Sequence, residues 1–380
     1  MLSWPAARDL AACAARPPAP ADLPLSRALG CRLAAPLRAL VAVPGVDVAA
    51  MDGYAVAGAP PWRLTGRVLA GGVPYEGALR AGEAVEIATG APVPQGAESV
   101  LPYERASGTG WVSGEIETGR HVRRRGEDIA QGAVVLGAGT VVTPVVAGLA
   151  AALGHDLLTV RPRPSVAVLV TGDEVVDRGL PGPGRVRDAI GPFLPGLIDW
   201  AGGLLASHDR LPDGAEPLRA ALSSLKQDVV VVCGASSRGP ADHLRGVLAG
   251  LGAEVLVDGV AVRPGHPQVL ARLPGGTLVV GLPGNPFAAL AAAVTLLVPV
   301  LRGARGAEVR RERGALAGAV RVHERDTRLV PVVRSGRGVV PVGHDGPGSL
   351  WGAALAEALA VVPPGWSGEH VELIELPPGG

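Results

Sequence analysis

VAVLVTGDEVV, residues 166–176, is an unbroken apolar run that stops at a glycine and two acids. Five consecutive apolar residues with no polar alternation read as a strand covered on both faces, the environment that a parallel sheet flanked by helices provides. The text downstream repeats the pattern. Strand candidates recur at Val166–Val170, Asp228–Val232, Glu254–Val257 and Thr277–Val280, with amphipathic helix candidates near Pro192–Gly202, Ala215–Leu225, Asp242–Leu251 and Phe287–Leu301. Alternation of this kind over 161–303 predicts an α/β domain with a mainly parallel sheet. Ligands bind such sheets beyond the carboxyl ends of the strands. Three loops would gather at that edge: TGDE (171–174), CGASSRGPAD (233–242) and GLPGNP (281–286).

The flanking text differs in texture. Residues 46–127 hold short alternating runs, among them WRLTGRVL, EAVEIATG and WVSGEIET, broken by Gly and Pro, which predicts an inserted β-rich module. Residues 1–45 and 128–160 are Ala/Leu-rich, apolar and in part helical. Residues 304–380 are β-like again: RLVPVVRSGRGVVPV reads as a hairpin turned at Ser335-Gly336, and HVELIEL as a closing strand.

Bulk properties narrow the function. A chain of 380 residues has room for about two to four domains. Thirty-five basic against 35 acidic residues leave no net charge, which argues against nucleic acid and anionic membranes as partners. Cys13, Cys31 and Cys233 are odd in number and far apart, so neither a disulfide framework nor a zinc site is expected, and a reducing cytoplasm is the natural compartment. No signal peptide is visible at the start, and the most apolar stretch, Ala288–Leu301, contains Pro299 and is expected to be too short to span a bilayer. Neither GxGxxG after the first strand nor GxxxxGK[ST] occurs, which disfavours dinucleotide and P-loop chemistry.

Each loop has a local reading and a chemical one. In GLPGNP, Asn285 suits a helix N-cap and Pro286 the first helical position, while the same helix start offers N–H groups to an anion. Asp173 and Glu174 are a solvated turn, or oxygen ligands for Mg²⁺ if a phosphorylated ligand binds beside them. Asp242 is a helix cap or a ligand contact. Asp52 in MDGYAV (51–56) sits in an Asp-Gly turn, Thr89 opens the Pro/Gly loop TGAPVPQGAE, and RRRGED (123–128) is a charged turn.

Taken in order, MDGYAV, TGAPVPQGAESVLPYE (89–104), RRRGEDI (123–129), VTGDEVV (170–176), RPGHP (263–267) and GLPGNP resemble the molybdopterin molybdenumtransferases, the MoeA family that includes the gephyrin E-domain. The resemblance implies an elongated helical domain (1–45 and 128–160), the inserted β-rich module (46–127), an α/β molybdopterin-binding domain (161–303) and a C-terminal β-barrel (304–380). It implies a homodimer whose cleft lies between the β-rich module of one subunit and the α/β and C-terminal domains of the other. The implied reaction inserts molybdenum from molybdate into adenylylated molybdopterin with Mg²⁺-dependent release of AMP. Asp52, Thr89, Asp128, Glu174 and Asp242 are the implied catalytic positions, and Asp173, Glu174 and Asp242 the metal ligands. Arg123, Thr171, Gly172, Asp188, Gly234, Ser237, Arg263, His266, Pro283, Pro286, Arg328 and Ser349 are the implied substrate contacts. Molybdopterin adenylyltransferase and recipient molybdoenzymes are the implied protein partners.

Three loops depart from the family pattern. Asp188-Ala189-Ile190-Gly191 replaces Asp-Ser-Asn-Gly, losing a hydroxyl and an amide; Gly234 to Gly239 gains a methyl at Ala235 and a guanidinium at Arg238. His266 stands where a lysine is usual, so oxyanion affinity is expected to depend on pH. The altered 188–191 and 234–239 loops favour the rival expectation, a non-catalytic paralogue that binds or carries the pterin or acts as a dimeric scaffold, whereas retention of Asp52, Thr89, Asp128, Glu174 and Asp242 favours the enzyme.

Overall fold

A computed structural model describes residues 1–234, 243–306, 312–336 and 338–377. Residues 1–19 and 161–380 form one compact unit and residues 20–160 a second.

The larger unit is built on a six-stranded sheet in the order Leu204–Arg210, Ser165–Val170, Val229–Cys233, Leu278–Leu282, Val269–Arg272, Glu254–Asp258. The first four strands are parallel and the last two antiparallel. The pleat of Ser165–Val170 explains its continuous apolar text. Val166, Val168 and Val170 enter one core with Leu194, Leu197 and Ile198, whereas Ala167 and Leu169 enter a second with Leu218, Leu222, Leu244 and Val247. Each fully buried aliphatic side chain contributes roughly 1.5–3 kcal/mol, so burial on both faces fixes the register. Strand Ser165–Val170 sends its chain outward to Leu204–Arg210, and the next crossover returns to Val229–Cys233 on its other side. The resulting switch point lies at the carboxyl ends of Ser165–Val170 and Val229–Cys233, the edge at which open parallel sheets bind ligands.

The apolar stretch near 288–301 is longer as a helix than its sequence suggested. Pro286–Ala304 runs 19 residues with mean hydropathy 1.9, long and apolar enough to cross a membrane, yet 89% of it is buried inside the unit. Its interior contains a π-helical turn at Ala293–Leu297, just before Pro299, which has no N–H to donate. There Thr295 donates its hydroxyl to the Ala291 carbonyl at 2.7 Å and accepts the Trp4 indole N–H at 3.1 Å. Trp4 belongs to the helix Trp4–Ala14, which packs with this unit.

The C-terminal text closes into a barrel. Strands Glu312–Leu316, Thr327–Ser335, Gly338–Pro341, Ala358–Val362 and His370–Glu375 are joined in a ring, because Thr327–Ser335 pairs with both Gly338–Pro341 and Ala358–Val362. The expected hairpin turn is present, with Gly336 at φ +58°. One strand crosses the boundary drawn from sequence at 303: Val260–Arg263 leaves the α/β sheet and runs parallel to Thr327–Arg328.

The smaller unit contains a five-stranded sheet in the order Trp111–Val112, Trp62–Val68, Glu83–Ile87, Gly53–Ala57, Ser99–Pro102. Where helix was expected, residues 20–45 and 128–160 carry short strands and two helices, Leu25–Ala28 and Pro144–Ala152. Pro17, Pro18, Pro20 and Pro24 end the first helix and keep the following backbone extended.

Candidate functional site

The carboxyl edge of the sheet brings Thr171, Gly234 and Gly284 together. Thr171 is buried, and its N–H and hydroxyl both donate to the Cys233 carbonyl, at 3.0 and 2.9 Å. Gly234 donates its N–H to the Leu282 carbonyl at 3.1 Å. At Gly234, φ is +94° and an added Cβ would lie 2.9 Å from the Thr171 carbonyl oxygen, so only glycine fits. The Cα of Gly234 lies 3.8 Å from where a Cβ on Gly284 would stand, so the two glycines pack backbone against backbone in the floor of this edge. Beneath this floor, burial pushes the Cys233 thiol up, with Asp188 adding to it, so the sulfur is an inert packing group.

Asp173 and Glu174 part company. The Asp173 carboxylate accepts the Asp213 N–H at 3.2 Å, and Asp213 returns the contact by accepting the Asp173 N–H at 3.2 Å. Arg210 clamps the turn by donating to the Gly172 and Val175 carbonyls at 3.2 and 2.7 Å. Glu174 instead folds over Gly172, its oxygens 3.0 and 3.1 Å from where a Cβ would stand, in space that exists because residue 172 is glycine. Among the described residues no group of three or more His, Cys, Asp or Glu side chains is arranged to hold a metal. The fit is to a cation shared with a phosphorylated ligand, since Mg²⁺ takes one or two carboxylates and completes its shell with phosphate and water oxygens. Of the two acids, Glu174 could offer a carboxylate to such a cation, whereas Asp173 is turned toward Asp213. Ser237 and Asp242 lie outside the described residues.

Asp188 caps its own turn, accepting the Ile190 and Gly191 N–H groups at 2.9 and 2.8 Å. Ile190 enters the main core, so an apolar residue there is buried against Leu194 and Ile198 and does not present an unpaired surface to a ligand. The turn keeps its Asp without the family's amide.

The helix beginning at Pro286 is capped from an unexpected direction. Asn285 makes no side-chain cap, and the Phe287 and Ala288 N–H groups donate to the Pro347 carbonyl at 2.9 and 3.2 Å. Loop 343–349 of the barrel therefore covers the helix start that the sequence offered to an anion. In that loop the Ser349 hydroxyl accepts the Trp351 N–H at 3.2 Å. Close by, Arg263 and Arg328 are register partners on neighbouring parallel strands. Arg263 donates to Asp326 at 2.7 Å, and Arg328 is paired with Asp345. His266 is exposed, and its carbonyl receives the Val260 and Gln268 N–H groups. Asp326, Asp345, Asp213 and Arg210 escaped the sequence reading. HDGPGS (344–349) carried a signal for one of them, an acid beside turn glycines, but the partner lies on another strand.

In the smaller unit Asp52 and Thr89 form a clasp: Asp52 Oδ1 accepts the Thr89 N–H at 2.7 Å and its hydroxyl at 2.9 Å. Arg123 is paired with Asp128, and Arg124 donates to Asp47 at 2.7 Å, so the charges of RRRGED are engaged within the turn and with Asp47. Strand Val48–Ala49 links the two groups, pairing with Val122–Arg123 on one side and bonding loop 90–91 on the other. The Thr89 backbone N–H, then its hydroxyl, hold the Asp52 carboxyl below the ordinary 3.8. A depressed value means the clasp contributes at neutral pH and is lost as pH falls through the folded value. The Thr89 amide resonance is expected to shift with a midpoint below 3.8, and in Asp52→Asn to be flat across that range.

Comparison with known proteins accords with this geometry. Residues 2–154 match the MoeA N-terminal region (domain I and II), and residues 167–303 a probable molybdopterin binding domain. The chain is 35% identical over 334 residues to molybdopterin molybdenumtransferase of Synechococcus elongatus, covering 82% of each chain. The chain belongs to the MoeA family of molybdopterin molybdenumtransferases. Another relative is molybdopterin molybdenumtransferase 2 of Mycobacterium tuberculosis, 34% identical over 309 residues and 76% of each chain. The crystal structure of the molybdopterin biosynthesis MoeA protein from Pyrococcus horikosii superposes over the whole of both chains with TM-score 0.77 at 28% identity. Membership in the MoeA family makes the chain a transferase of molybdenum cofactor biosynthesis.

Proposed function

We propose that the protein inserts molybdenum from molybdate into adenylylated molybdopterin and releases AMP, with Mg²⁺ required. The observation that supports this reading is the carboxyl edge of the sheet at its switch point, where Thr171, Gly234 and Gly284 meet and Glu174 folds over Gly172, in a chain of this family. Gly234 and Gly284 let the pterin lie against backbone. Thr171 fixes the floor, and Glu174 would hold Mg²⁺, with Asp242 as the proposed second ligand. When bound, the ion supplies charge neutralisation on the pyrophosphate oxygens. Arg263 and Arg328 supply the cationic pair for molybdate, with His266 and Ser349 as neighbours. Asp52, Thr89, Arg123 and Asp128 are assigned to the same reaction through a cytoplasmic homodimer, in which one subunit's β-rich module completes the cleft of the other.

Complementation tests the reading in the cell. In a bacterium lacking its own molybdenumtransferase, the chain is expected to restore activity to an endogenous molybdoenzyme. Restoration by neither low nor high expression, with the protein present and folded, would favour the pterin-carrying scaffold instead.

A further inference from the structure

We propose that Asp345 is a built-in competitor for the oxyanion, setting how tightly the Arg263–Arg328 pair takes molybdate. The inference rests on the proposed reading of that pair as the oxyanion site.

Arg263 and Arg328 stand side by side across two parallel strands, a spacing that concentrates positive charge. In the folded chain the charge is already balanced: Asp326 takes Arg263, and Asp345 takes Arg328. The two pairs differ in access. The Arg328 side chain is 19% exposed and Asp345 38%, so an anion arriving from solvent meets the carboxylate before the guanidinium it covers. Asp326 is the more buried member of its pair, 14% against 60% for Arg263, and therefore leaves Arg263 open to solvent. Asp345 is the obstacle and Asp326 the support.

Asp345 also has no freedom to depart with its loop. Gly343 packs so tightly on Gly352 that a Cβ would lie 2.6 Å from the Gly352 Cα, and a Cβ on Gly352 would lie 2.4 Å from the His344 carbonyl oxygen. On the far side, Pro347 is tied to the Phe287 and Ala288 N–H groups. With both ends pinned, an incoming dianion has to rotate the Asp345 side chain away or bind against its negative charge. Either route weakens binding, because a charge-assisted pair is exchanged for another and like charges are brought close. Sulfate has the same charge and tetrahedral shape as molybdate, so a site stripped of the competitor should accept it as well.

Asp345→Asn keeps the shape and removes the charge, and a half-exposed ion pair contributes little to stability, so the variant should fold normally. Molybdate binding to the full-length protein is measured by equilibrium dialysis, with sulfate as competing probe, for the parent, Asp345→Asn and Arg328→Ala. The expected result is about fivefold tighter molybdate binding in Asp345→Asn, with sulfate competing more strongly than in the parent, and at least tenfold weaker molybdate binding in Arg328→Ala. Weaker binding in Arg328→Ala with no change in Asp345→Asn would overturn the competitor role and leave the oxyanion site standing. Weaker binding in Asp345→Asn would overturn it too, making Asp345 a residue that positions Arg328. No change in Arg328→Ala would remove the oxyanion site and the proposal with it.

Discussion

Glu174→Ala is expected to lower AMP release by at least about a hundredfold while leaving melting temperature and circular dichroism unchanged. A factor of that size corresponds to roughly 2.7 kcal/mol of barrier, typical of losing one group that acts on charge in the transition state. The fold should not notice, because Glu174 is exposed and, among the described residues, its hydrogen bond is made by its backbone carbonyl, which alanine keeps, to the Val186 N–H at 2.9 Å. Asp173→Asn provides the contrast. Its carboxylate is spent on the Asp213 N–H, so the change should loosen the turn and reduce activity by less than about tenfold. Equal losses in both variants would mean that the two acids act as one metal-binding pair and that the divergence of their side chains has no functional meaning.

Gly53→Ala should be among the most destabilising single changes in the β-rich module. Gly53 begins the strand that lies between Glu83–Ile87 and Ser99–Pro102, pairing with Ile87 and Pro102. At φ +159° an added Cβ would fall 2.0 Å from the Leu101 carbonyl oxygen, and Leu101 is itself fully buried. Neither partner is the flexible end of a side chain, so backbone has to move, at a cost of about 3 kcal/mol or more. For a unit of this size the melting transition should drop by roughly 10 °C. An unchanged transition would show that this strand pairing is looser than the geometry requires. The neighbouring Asp52–Thr89 clasp adds to this: the Asp-Gly of MDGYAV is a crowded crossing whose carboxylate is held by Thr89, more than the plain turn its composition allows.

Legibility in the sequence followed the range of the forces involved. Strands buried on both faces, such as Val166–Val170 and Thr277–Val280, were readable to within two residues because burial on two sides forces continuous apolar text. Leu204–Arg210 escaped notice because it is an edge strand ending in His208, Asp209 and Arg210, which reads as surface. Val260–Arg263 was visible only as part of RPGHP, and its transfer to the barrel sheet depends on a partner more than sixty residues away. The motif residues were found through family resemblance, yet their pairings were not. No local pattern says that Asp173 turns to Asp213, that Arg328 meets Asp345, or that Pro347 caps the helix at Pro286 in place of Asn285. Such contacts are set by where elements pack, and side chains several turns apart in sequence decide which carboxylate remains available.

The altered 188–191 loop illustrates the same limit in the opposite direction. Read as text, Ala189 and Ile190 replace polar groups and suggest a weakened ligand site. In the fold Ile190 belongs to the core and Asp188 caps the turn alone, which removes one reason for preferring a non-catalytic paralogue.

The most direct test is AMP release and cofactor formation from adenylylated molybdopterin by the purified protein, with and without Mg²⁺ and molybdate. Release that requires both ions and yields a cofactor able to activate a molybdenum-free apoenzyme is the predicted result. Tight pterin binding without AMP release under any combination of the two ions would contradict the transferase assignment and make the protein a pterin carrier.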